Sequence, residues 1–118
     1  MAGKQKQLMV RNSTAEFLVF TKQAGKDGIE VRVEKENLWL SQKLMARLFD
    51  CSADNISLHL KNIFKEGEVQ ENSVTEDFSV TASDGKQYVT KHYNLEAIIS
   101  VGYRVNSERA KEFRQWVG

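Results

Sequence analysis

The spacing of apolar residues between Ser41 and Lys65 (SQKLMARLFDCSADNISLHLKNIFK) constrains the fold of this chain more than any other feature. Leu44, Met45, Leu48 and Phe49 fall on one face of a helix, and Ile56, Leu60, Ile63 and Phe64 repeat the pattern after a gap with room for a tight turn. Ser41 and Ser52 each place a hydroxyl where a helix start leaves a backbone N–H without a partner, and Asp54 sits in a first turn, where the helix dipole favours negative charge. Ala46 precedes Ile56 by ten residues and is small enough to let the second helix cross closely. The turn calls for a residue able to reach the left-handed region. Glycine does so most cheaply, and here Asp50, which tolerates that region better than most, supplies it. The unit reads as a helix-turn-helix, whose second helix can enter a DNA major groove.

The flanking sequence is strand-like. Glu16 to Lys22 and Ile29 to Lys35 are rich in β-branched and aromatic residues around the turn chemistry of Gly25-Lys26-Asp27-Gly28, which predicts an amino-terminal hairpin. Asn37 to Leu40 extends it as a short third strand. Beyond the helices, Phe78 to Ala82 and Gln87 to Tyr93 flank Ser83-Asp84-Gly85-Lys86, a second hairpin signal placed where a winged helix carries its wing. Asn94 then caps a helix from Leu95 to Val101, with Gly102 expected in a left-handed terminal position. Asn106-Ser107 opens a last helix with Ala110, Phe113 and Trp116 or Val117 at helical spacing. The expected fold is α+β: a winged helix-turn-helix-like domain with an amino-terminal hairpin, a wing and two carboxy-terminal helices. Residues 1–15 are read as a flexible lead and 16–118 as one domain, truncated at its apolar carboxyl end.

With 118 residues and 41% hydrophobic content, one core is affordable and two would be cramped. No apolar run approaches a membrane span and the amino terminus lacks a signal-peptide stretch, so a soluble cytoplasmic protein is expected. The single Cys51 cannot form an internal disulfide and reads as a small packed hydrophobe. The formal net charge of +1 is low for a DNA binder, but it hides a local imbalance. Ser41 to Lys65 carries Lys43, Arg47, Lys61 and Lys65 against Asp50 and Asp54, whereas Glu66 to Asp77 holds five acidic residues and no basic one. If the protein binds DNA, that acidic run, read as a solvated loop, must point away from the second helix.

The wording WLSQKLMARLF, NISLHLKNIFKEGE and, most specifically, YNLEAIISVGYRVNSERAKEFRQW resembles the amino-terminal part of the virulence-associated RhuM family of bacterial proteins, over roughly Ile29 to Trp116. The resemblance implies a DNA-binding protein associated with virulence loci, often beside restriction-modification genes or joined to a Fic-like domain, with no established reaction. It also implies more helix beyond this point. Asp50 departs from the glycine common in the family.

Chemistry is sparse. His59, His92 and Cys51 are too few and too scattered for a metal centre, no nucleophilic triad or phosphate-cradling glycine loop is legible, and the Fic-type loop is absent. The chain is therefore read as a non-enzyme without a cofactor. Two functions remain. In the first, helix 52–65 reads duplex DNA, as in a transcriptional regulator or accessory factor. Asn55 can pair its amide with adenine, Ser52, Ser57 and His59 reach bases or phosphate, and Lys61, Lys43, Arg47 and the wing residue Lys86 hold phosphates. In the second, the exposed surface recruits a restriction- or toxin-type partner or a second copy of the chain, through Trp116 and the terminal helix. Trp39 reads as a core residue.

Overall fold

The computed structural model describes Ile29 and residues 31–117; the expected lead, the strand at Glu16 to Lys22 and the turn after it lie outside the described residues. The described part is a mixed α+β domain. Strands β1 (Arg32–Glu34), β2 (Asn37–Ser41), β3 (Thr75–Thr81) and β4 (Gln87–Asn94) form an antiparallel sheet of order β1-β2-β4-β3. Helices α1 (Gln42–Phe49), α2 (Ala53–Lys65), α3 (Glu71–Val74), α4 (Leu95–Gly102) and α5 (Glu108–Val117) pack around it.

The second strand of the expected amino-terminal hairpin turns forwards into β2, while that hairpin's first strand lies outside the described residues. Arg32 pairs with Trp39 and Glu34 with Asn37 across Lys35-Glu36, both of which have positive φ (53° and 59°). Two consecutive left-handed residues are what a two-residue hairpin needs to follow the strand twist, so the turn chemistry lies in backbone conformation rather than in a glycine signal. Asn37 to Leu40, expected as a short third strand, is a central one: β2 pairs with β1 on one side and, through Trp39 with Asn94 and Ser41 with His92, with β4 on the other.

Period-two alternation divides the sheet. Leu38, Leu40 and Tyr93 join the core with Met45, Leu48 and Phe49 of α1, Ile56, Leu60 and Ile63 of α2, Ile98 of α4 and Phe113 of α5. The opposite face carries Trp39, buried as expected. Its ring meets Phe78 edge-on at 5.5 Å and its Nε1 donates to the Glu34 carbonyl oxygen at 3.0 Å. Arg32 stacks its guanidinium 4.8 Å over Phe78, and His92 meets the same ring in a T-shaped contact at 5.2 Å.

Two expectations are corrected here. Gly102 does not take a left-handed terminal position: it lies inside α4, and Tyr103, in the right-handed region, follows as the cap. Its value is space. A Cβ at Gly102 would stand 2.5 Å from Cδ2 and Cε2 of Phe113 and 3.1 Å from Cζ of Phe49. Nor is Glu66 to Asp77 a loop, since it closes α2, forms α3, buries Val69 and Val74 and begins β3. Short-range charge composition concealed these two buried valines.

Candidate nucleic-acid interface

The turn between α1 and α2 comprises three residues, Asp50 to Ser52, and its geometry is local. Asp50 adopts φ 56°, ψ 52°, its N–H donating to the Arg47 carbonyl while the Cys51 N–H reaches back to that of Ala46 at 3.0 Å. This pair of bonds satisfies carbonyls that the end of α1 leaves open, and the left-handed residue reverses the chain. Aspartate thus does the work expected of it. The two predicted caps form: Ser41 Oγ accepts from the Leu44 N–H at 3.2 Å and Ser52 Oγ from the Asn55 N–H at 3.0 Å. Ala46 is buried in the same core cluster as Ile56. Cys51 is half-buried, and burial first, then the Asp50 carboxylate, pushes its thiol pKa up, which disfavours the nucleophilic thiolate.

Helix α2 buries Ile56, Leu60 and Ile63 and presents Ala53, Asp54, Ser57, Leu58, Lys61 and Lys65 to solvent. The sequence-predicted residues divide accordingly. Ser52, Ser57 and Lys61 are exposed, whereas Asn55 and His59 sit half-buried on a flank shared with Asn62. Lys43 and Arg47, exposed on α1, line a groove of about 700 Å³ together with Arg32, Gln42, Thr90 and Lys91. Asn55, Ser57, His59 and Lys61 do not border that groove. Lys86 lies at the β3–β4 tip, where its N–H donates to Asp84 Oδ1 at 2.9 Å. Tyr88 donates its hydroxyl to Asp84 Oδ2 at 2.8 Å, and these two bonds hold the Asp84 carboxyl below the usual range. Sequence reasoning missed Leu58, which is 54% exposed at the centre of the outer face of α2. The signal was available: position 58 falls off the stripe of 56, 60 and 63, about 200° from Ile56 at 100° per residue.

The acidic run is tied back. Arg104, in the segment between α4 and α5, binds Glu66 and, at 2.8 Å, Glu68; Lys91 lies 3.6 Å from Glu71, and Lys35 pairs with Glu76. Exposed pairs of this kind contribute little stability. Their effect is on the field beside α2, because Glu66, Glu68, Glu71 and Glu76 are offset by three cations, Arg104, Lys91 and Lys35, from distant parts of the chain.

His59 feels the same arrangement. Partial burial, then the positive charge of Arg104, lowers its pKa from the ordinary 6.5. The neutral imidazole is therefore the form the fold favours, and His59 adds no charge to the surface at neutral pH. Because the unfolded chain binds this proton more readily, the stabilising contribution is fully present above about pH 6.5 and is lost as pH falls through that value towards the folded pKa. The urea midpoint should decline over that window, and His59→Gln should flatten the decline. An unchanged slope in the variant would assign it to other groups.

No curated protein and no solved structure matches the chain. One family model does. Residues 73–118 match the model of the virulence protein RhuM family. The RhuM match begins in α3 and runs through β3, β4, α4 and α5, the part whose wording carried the most specific resemblance. Helices α1 and α2 lie before it. Among the described residues, no helix is long and apolar enough to cross a membrane.

Proposed function

We propose that this chain is a non-enzymatic, cytoplasmic DNA-binding domain of winged helix-turn-helix form, with α2 as recognition helix and the β3–β4 hairpin as wing, acting as a transcriptional regulator or an accessory factor. The observation that carries the reading is the outer face of α2: it follows a three-residue turn, stands exposed with Lys61 and Lys65, and has the nearest carboxylates of the acidic run, Glu66 and Glu68, held by Arg104. The sheet supports it, because α1 and α2 are inserted between β2 and β3 and a hairpin follows them, with Lys86 at its tip. Lys43 and Arg47 on α1 suit phosphates. Asn55, Ser57 and Ser52, near the start of α2, suit base edges or phosphate, since the amino-terminal part of a recognition helix is the part that reaches bases.

Titration of the protein against mixed genomic duplex fragments tests this. Retention should weaken as salt rises, Lys61→Ala should reduce the salt slope by about one, and Asn55→Ala should weaken retention of the preferred fragments roughly tenfold. Absence of retention at low salt would overturn the reading. The interaction alternative rests on Tyr103, exposed after α4, and on Trp116 and Val117, half-buried at the end of α5. A dimer by light scattering, with no DNA retained, would favour it.

A further inference from the structure

We infer that Leu58 recognises the C5-methyl group of a pyrimidine in the DNA major groove, an inference that rests on the DNA reading of α2 and assigns part of its sequence preference.

A single exposed leucine is ordinary on a protein surface, so exposure alone says little. Its position says more. Leu58 stands midway along the outer face of α2, one turn after Asp54 and one before Lys61, with Ser57 beside it and Lys65 a further turn on. Every neighbour on that face except the small Ala53 is polar or charged. The other large exposed apolar residues among those described, Val33, Tyr88, Val89 and Tyr103, belong to β1, β4 and the segment after α4. One leucine ringed by charge is too small a patch to anchor a stable protein interface, which needs a contiguous desolvated centre. A recognition helix offers a fitting occupant. Leucine has no hydrogen-bonding group, so it cannot bind phosphate or a polar base edge, and the apolar feature the major groove presents is the C5-methyl group. Thymine carries it, and so does 5-methylcytosine. Lys61 and Lys65, one and two turns further along the same face, match the charge of the backbone on either side of that groove.

Removing Leu58 should leave the fold intact, because its side chain is absent from the core and alanine is a better helix former. The test compares duplexes enriched from a random pool in three chemistries: ordinary, with uracil replacing thymine, and with 5-methylcytosine replacing cytosine. If thymine is the source, the wild-type protein should bind the uracil duplex roughly three- to tenfold more weakly than the ordinary one, and Leu58→Ala should bind both alike. If 5-methylcytosine is the source, uracil should change nothing and methylation should strengthen binding by a similar factor, again only with Leu58 present. Equal binding of all three duplexes by the wild type overturns the methyl contact while leaving the DNA reading standing, as does a uracil effect that persists in Leu58→Ala. If no duplex is retained at low salt, both fall together.

Discussion

Gly102→Ala is expected to lower stability by about 2 kcal/mol, although alanine is the better helix former by up to about 1 kcal/mol. The added methyl would meet Phe113 at 2.5 Å and Phe49 at 3.1 Å, and both rings are fully buried. They also meet each other edge-on with centroids 5.0 Å apart, so neither can yield without moving the other. For a domain of this size the loss corresponds to a fall in melting temperature of roughly 5–15 °C. Phe113→Leu removes the ring atoms that clash. In the Gly102→Ala background it should therefore cost less than it does alone, giving a coupling of about 1 kcal/mol in a double-mutant cycle. Additive effects would mean that the glycine is needed for some reason other than this approach.

Ser107→Ala should cost a similar amount, roughly 2 kcal/mol, through a single oxygen. Ser107 Oγ accepts from the Ala110 N–H at 3.0 Å, capping α5, and donates to the Phe49 carbonyl at 2.6 Å. Loss of a serine cap costs about 1 kcal/mol, and depriving a carbonyl in the interior of its donor adds a comparable penalty. Phe49 is the last residue of α1, so this bond fastens the start of α5 to the turn that aims α2. Ser107→Thr, which keeps the hydroxyl, should retain most of the stability in urea denaturation. Equal losses in the alanine and threonine variants would show that bulk rather than the hydroxyl decides.

Much of the architecture was legible because its causes are local. Serine caps at Ser41 and Ser52, the Asn94 cap of α4, the Asp84-Gly85 turn and the apolar stripes of α1, α2 and α5 all depend on residues a turn or less apart. Even Asp50, the departure from glycine, could be assigned the left-handed role. The site was legible in part: Ser57 and Lys61 are exposed as expected, whereas Asn55 and His59 turn to a flank. The polar residues of α2 advertised themselves as contacts, and Leu58 did not, although the same periodicity placed it outside.

The sequence by itself determined where α1, α2, α4, α5 and the Asp84-Gly85 turn form and which helix faces seek the core, because capping, dihedral preference and apolar periodicity act over three or four residues. Tertiary structure alone decided the forward pairing of β1 with β2, the insertion of β2 beside β4, the packing of Phe113 on Gly102 and the capture of Glu66 and Glu68 by Arg104. Each joins residues through register or packing rather than through spacing. The charge run that argued against DNA binding in the sequence is thereby changed in meaning, since carboxylates are weighed in the fold by the cations beside them.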